Sequence, residues 1–245
     1  MSGKHNAPKS AMILAAGLGL RMRPLTIKTP KPLVNVAKKP LIQFNLEALV
    51  NANINNVVVN IHHLPNKMTD YLKKFARLDI KISNEEDQLL DSGGGIKNAL
   101  HLLGNSPFFI LNADSFWIDG TAPNLARLSK AWDSSRMDIL LMLAAGTQIT
   151  GYAGNGDFVM NSNGELKRCL EKVISPFVYA GFGIINPKIF NETPNGPFSL
   201  NILFDRAIEN QRLHGLRLDG EWYHVGTPDA ISEAEQKIMR NKCRL

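Results

Sequence analysis

Short apolar runs alternate with amphipathic stretches along the first half of the chain. Residues 10–16 (SAMILAA) are apolar up to Gly17, and residues 56–61 (NVVVNI) are β-branched. Both patterns predict buried strands. Leu41, Phe44, Leu46, Leu49 and Val50 recur at helical spacing and predict a helix over 41–51. The same reading gives a helix over 67–75, a short strand over 80–83 and a helix over 96–103 that follows a glycine triplet. A buried strand over 108–111 (FFIL), a helix over 122–132 and a strand over 138–143 come next. Strands alternating with helices mark a parallel sheet covered on its faces. The expected class is therefore α/β, with a Rossmann-like doubly wound sheet.

The second half is less regular. Short strands are expected over 158–160, 166–168 and 177–185, then a helix over 200–210 and strands over 216–218 and 222–225. A last helix should begin at Pro228, whose fixed φ suits a first turn, with Thr227 as its cap. No repeat, low-complexity tract or long linker interrupts the chain, so one domain over 8–240 is expected, flanked by flexible tails at 1–7 and 241–245.

Composition narrows the function classes. The 245 residues are 44% hydrophobic and 20% charged, enough apolar surface for a substantial core. No apolar stretch approaches the ~20 residues of a bilayer crossing, and the N-terminal MSGKHNAPKS has no apolar signal core. The expectation is a soluble cytoplasmic protein without a membrane partner. Cys169 and Cys243 neither make a disulfide framework nor show metal-ligand spacing. The net charge of +6 comes from the ends, at Lys4, Lys9, Lys237, Arg240, Lys242 and Arg244. Setting those six aside leaves 22 basic against 22 acidic side chains, which assigns the basicity to solvated tails and argues against a nucleic-acid partner.

Chemistry concentrates in four places. In residues 14–33 (LAAGLGLRMRPLTIKTPKPL), Gly17 and Gly19 follow directly on a strand, and Arg21, Arg23, Lys28 and Lys31 come within the next twelve positions. Glycines let backbone N–H groups approach a phosphate, and the cations neutralise it. No GK[ST] sequence makes this a P-loop, and Arg21 stands where a dinucleotide fingerprint needs its third glycine. The second place is LDSGGGIK, residues 90–97, whose glycines either let a base or ribose lie against the backbone or form a flexible loop; Asp91 and Ser92 are candidate caps. Third, Asp114 ends the strand-like ILNAD, where open α/β sheets place ligands and where a hard oxygen donor suits magnesium. Fourth, GYAGNGDF, residues 151–158, combines glycines with Tyr152, Asn155 and Asp157 ahead of a strand. His62 and His63 lack metal spacing and receive no role.

The 14–33 segment resembles the opening LAAGxGxRMxPLT…KPL motif of the nucleotide-sugar pyrophosphorylases, the sugar-1-phosphate nucleotidylyltransferases, and recognisable pieces continue to Gly226. Within that family the resemblance is greatest to the N-acetylmuramate-1-phosphate uridylyltransferase and mannose-1-phosphate guanylyltransferase groups. The resemblance implies a GT-A-like fold with a small sugar-binding insertion and no left-handed β-helix domain. It implies transfer of a nucleotidyl group from a nucleoside triphosphate to a sugar 1-phosphate, with UTP and N-acetylmuramate 1-phosphate the first choice. A catalytically weak nucleotide-sugar-binding subunit is the reading of another class.

Residue roles follow from the same resemblance. Arg21 and Lys31 would act on the phosphates and Asp114 on the metal. Ala15, Ala16, Gly17, Gly19, Gly93, Gly94 and Asn112 would hold the nucleotide, and Asp157, Glu171, Lys172 and Tyr179 the sugar. One position departs from the pattern: where the family reads W-x-D-x-G-T, this chain has WYHVGT, with His224 in place of the second metal carboxylate. Imidazole is a poor partner for Mg²⁺ and a better one for Mn²⁺ or Zn²⁺, so the expected cofactor is Mg²⁺, with Mn²⁺ as the option that His224 opens.

Overall fold

Each apolar run of the first half becomes a strand of one sheet, and each amphipathic stretch a helix on its faces. The computed structural model describes residues 7–169 and 175–242. In chain order the elements are β1 (Ser10–Leu14), α1 (Leu25–Lys28), β2 (Asn35–Val36), β3 (Lys39–Pro40), α2 (Leu41–Asn51), β4 (Asn56–Ile61), α3 (Pro65–Lys73), β5 (Asp79–Asn84), α4 (Asp91–Leu103), β6 (Phe108–Asn112), β7 (Ser115–Asp119), α5 (Asn124–Ala131), β8 (Ile139–Ala144), β9 (Ile149–Thr150), β10 (Phe158–Met160), β11 (Leu166–Arg168), β12 (Val178–Ile185), α6 (Asn201–Glu209), β13 (Leu213–Arg217), β14 (Gly220–His224) and α7 (Pro228–Lys242).

Seven strands pair in the order β13-β8-β12-β6-β1-β4-β5. β1 runs parallel to β4 and β6, β4 parallel to β5, and β13 parallel to β8, while β12 is antiparallel to both its neighbours. Alternate residues feed opposite layers: Met12, Val58 and Ile110 enter one core cluster, and Ile13, Val59 and Leu111 the other. Burial on both faces explains why these strands read as unbroken apolar runs. From β1 the chain passes to β4 and β5 on one side and then crosses to β6 on the other. The order thus reverses between β1 and β6, the place where open α/β sheets bind ligands beyond their carboxyl ends. Leu14 and Asn112 are in register there, so the loops leaving both strands open onto one crevice.

A second sheet, β7-β14-β9, closes that crevice. β14 pairs antiparallel with β7, setting His224 opposite Ser115, and Val225 N donates to Asp114 O at 2.9 Å. Aromatic stacking fixes its position: Phe116 lies between Phe44 of α2 and Tyr223 of β14, with ring centroids 4.1 and 4.8 Å away. No helix among the described residues is long and apolar enough to cross a membrane.

The structure corrects four expectations. The helix expected over 96–103 begins at Asp91, so the glycine triplet lies inside α4 and is not a loop before it. Packing explains the glycines: Gly93 and Gly94 N–H both donate to Phe198 O, and a Cβ at 93 would stand 2.4 Å from the Phe198 ring. β1 stops at Leu14 rather than 16, because Ala15 N leaves the ladder and donates to Asn60 Oδ1 at 2.8 Å. β7, absent from the expected elements, takes SFWID into the second sheet straight after the 113–114 turn. Finally, Lys237 and Arg240 belong to α7 rather than to a tail; Lys237 pairs with Glu221 at 3.7 Å and lies over the Tyr223 ring.

Candidate active site

Beyond the ends of β1 and β6 lies a cavity of about 400 Å³ lined by Gly17, Gly19, Arg21, Lys31, Asp114 and Gly226, among others. The loop after β1 is glycine-dependent at one position in particular. Gly19 has φ +64°, and a Cβ there would come within 2.9 Å of Thr26 Cγ2 and 3.1 Å of Lys31 Cβ. Thr26 Oγ1 donates to Gly19 O at 2.8 Å and locks the turn. Gly17 differs, since a side chain there would meet open space. Its lack of a Cβ widens the cavity. Arg23 and Lys28, counted with the anion site from sequence, are exposed and do not line it.

Lys31 is buried, and its ammonium donates to Asp114 Oδ2 at 2.7 Å. The Asp114 side chain keeps 30% of its surface, open to the cavities. Burial by itself would raise the Asp114 carboxyl, but Lys31 above all, with His224 and Arg21, outweighs it and holds the group below the usual carboxylate range. His224 is also shifted downward, for a different cause. Burial lowers its pKa, Asp114 opposes the shift, and the charges of Lys31 and Arg21 add to it, so the ring is neutral at pH 7. A Cβ on Gly226 would stand 2.8 Å from His224 Nε2 and 3.6 Å from Arg21 Nη1, so this glycine makes room for both side chains. Three cationic or imidazole groups thus surround one ionised carboxylate at a glycine-lined crevice.

A second cavity, about 410 Å³, continues from Gly17 and Asp114 past Asn112 to Asp91 and Ser92 at the start of α4. Ala15 and Ala16 lie along these two cavities, whereas Gly93 and Gly94, read from sequence as nucleotide contacts, turn their N–H groups to Phe198 and line neither. On the far side of Asn112 and His224, a third cavity of about 130 Å³ is bounded by Asp157, Tyr179 and Asn201. Asp157 Oδ2 accepts from Tyr179 N at 2.8 Å, and burial raises the Tyr179 phenol, with Asp114 and Asp157 reinforcing the shift. Glu171 and Lys172 lie outside the described residues.

Several residues of the site were not singled out from the sequence. Asn60 at the end of β4 accepts from Ala15 N and donates to Glu85 Oε1 at 2.7 Å, and Glu85 Oε2 accepts from Leu90 N at 3.0 Å. This buried network ties the glycine loop to the start of α4. A polar residue at the fifth position of the run NVVVNI was its only signal. Arg168 on β11 lines the third cavity and received no role from the sequence. His62 and His63 bond backbone carbonyls of Glu85 and Thr26, consistent with the absence of an assigned role.

A crevice at the switch point of an open α/β sheet, lined by glycine backbone and facing cations, defines a protein that handles nucleotide phosphates. The family model described as nucleotidyl transferase matches residues 10–241. The chain belongs to this nucleotidyl transferase family. It is 43% identical over 236 residues to N-acetylmuramate alpha-1-phosphate uridylyltransferase of Caulobacter vibrioides, covering 95% of this chain and 98% of that protein. It is 30% identical to mannose-1-phosphate guanyltransferase of Schizosaccharomyces pombe, over 89% of this chain but only 61% of that longer protein. Among solved structures, UDP-glucose pyrophosphorylase complexed with UDP-glucose superposes with a TM-score of 0.77 at 19% identity, over 96% of this chain and 99% of that one, which shows the shared fold.

Proposed function

We propose that this protein transfers a uridylyl group from UTP to N-acetylmuramate 1-phosphate, releasing pyrophosphate and forming the UDP-sugar. The observation that carries the reading is the 43% identity running through 95% of this chain and 98% of the Caulobacter vibrioides uridylyltransferase. In this reading the protein works in the cytoplasm, supplying activated sugar to cell-wall synthesis.

The reaction needs no protein nucleophile or general base, because a sugar phosphate is already deprotonated at neutral pH. Its oxygen attacks the α-phosphorus of UTP in line, and pyrophosphate departs with the electrons of the broken P–O bond. The protein's part is to place two anions together and offset their repulsion. Lys31 binds the α-phosphate, sharing an ammonium whose other donors are not spent on Asp114. Arg21, at the cavity rim, takes the departing pyrophosphate, and Gly17 and Gly19 let the phosphates approach the backbone. Asn112 orients the ribose, while Asp157 and Tyr179 contact the sugar.

The site also fits a divalent cation of one kind. No three His, Cys, Asp or Glu side chains gather into a cage among the described residues. Asp114 offers an ionised oxygen donor whose Oδ1 takes no hydrogen bond among the described residues, which would suit Mg²⁺ held by one carboxylate and substrate phosphates. His224, neutral beside it, adds a nitrogen that favours Mn²⁺. When bound, the ion withdraws charge from the phosphate under attack.

The test is pyrophosphate release from a matrix of nucleoside triphosphates and sugar 1-phosphates, with Mg²⁺ and with Mn²⁺. UTP with N-acetylmuramate 1-phosphate should lead the matrix by at least about tenfold in kcat/KM. A different leading pair, such as GTP with mannose 1-phosphate, would replace this substrate assignment.

A further inference from the structure

The third cavity contains an unassigned cation. Arg168, at the end of β11, is the only lysine or arginine among its described lining residues. Its guanidinium carbon sits 5.0 Å from the Phe158 ring centroid and 5.9 Å from that of Phe204. Nε donates to Asp205 Oδ1 at 2.8 Å, and Nη2 donates to Asn201 Oδ1 at 2.9 Å. A guanidinium carries five N–H donors in a planar fork, so these two bonds fix its orientation and leave three donors, Nη1 among them, without a protein acceptor among the described residues. Asp205 cancels little of the charge, because its side chain is 55% exposed and solvated.

A second, independent observation also points to a ligand here. Tyr179 lines the same cavity, and its buried hydroxyl has no hydrogen-bond partner among the described residues. Buried hydroxyls are normally satisfied, so a polar group is expected to complete it. Asp157 lines the same cavity, and its carboxylate can accept from hydroxyl donors. The cavity lining therefore combines a carboxylate with an aromatic-backed guanidinium.

We propose that Arg168 is the specificity-determining residue for a carboxylate carried by the sugar, reading it through the free edge of its guanidinium while Tyr179 and Asp157 bind hydroxyls. The inference rests on the muramate reading above and deepens it. N-acetylmuramate differs from N-acetylglucosamine by a lactyl ether ending in such a carboxylate, and a charge-assisted pair to arginine is the strongest way to tell the two apart.

The experiment compares kcat/KM for three acceptors with UTP: N-acetylmuramate 1-phosphate, the same sugar with its lactyl acid converted to the amide, and N-acetylglucosamine 1-phosphate. Each is measured with the wild-type protein, Arg168→Gln and Arg168→Lys. Arg168→Gln should reduce the acid-over-amide preference by about 30-fold, the scale of one charged hydrogen bond, and Arg168→Lys should restore part of it. Taking the ratio within each variant removes any loss of folded protein. An acid-over-amide ratio that stays at the wild-type value in Arg168→Gln overturns the inference while leaving the muramate assignment intact. A wild-type protein that does not use N-acetylmuramate 1-phosphate overturns the assignment itself.

Discussion

Lys31 and Asp114 concentrate opposite charges where water enters only through the cavities. If Lys31 binds the α-phosphate as proposed, Lys31→Ala should lower kcat by about 100-fold or more, measured by pyrophosphate release. Folding should suffer less than for a sealed ion pair, with a loss of about 1–2 kcal/mol in urea denaturation, because the Asp114 side chain keeps 30% of its surface and the charge of Arg21 still favours the carboxylate. Wild-type rates from the folded variant would remove Lys31 from the mechanism. Gly226 tests the same site sterically. Its missing Cβ is what lets His224 Nε2 sit where it does, so Gly226→Ala should displace the imidazole and lower kcat/KM by about tenfold, with a melting temperature within a few degrees of wild type. Unchanged kinetics in that variant would mean that the position of His224 does not matter to turnover.

At the level of elements, α4 shows how one sequence feature can serve packing while suggesting binding. Three consecutive glycines in a helix each cost about 1 kcal/mol relative to alanine, so some compensating contact is required. That contact is the 196–198 segment, which lies so close that a methyl group on Gly93 would overlap the Phe198 ring. Gly93→Ala should therefore destabilise the protein by about 1–3 kcal/mol despite the better helix propensity, read by calorimetry. Stabilisation would show that the segment yields easily. The effect on function should be indirect, through Asp91 and Ser92, which border the second cavity; Ser92 Oγ also accepts from Leu200 N at 2.9 Å and so couples α4 to α6.

For the whole molecule, the metal is the clearest discriminator. With one carboxylate as its ionised donor, the protein without substrate should bind Mg²⁺ weakly. EDTA should abolish turnover yet leave the melting temperature of the ligand-free protein unchanged, and Mg²⁺ should raise that temperature only together with UTP. A metal-dependent shift without nucleotide would indicate a protein-built metal site that the donor set does not contain. Much of the architecture was legible in the sequence. Continuous apolar runs determined the central strands, because burial on both faces leaves no polar alternation, and helical spacing determined α2 and the helices around it. The glycine and cation cluster after β1 was visible in the sequence, but only the structure shows that Gly17, Gly19, Arg21 and Lys31 line one cavity while Arg23 and Lys28 stay outside it. Tertiary structure alone decided the rest. The second sheet sets His224 beside Asp114 across 110 positions, and Arg168 reaches the third cavity because β11 packs near α6. The role of the glycine triplet likewise depended on a segment a hundred residues away. A local pattern reports which residues could bind or pack, whereas the partner that chooses between the two comes from a distant part of the chain and is fixed only when the layers close.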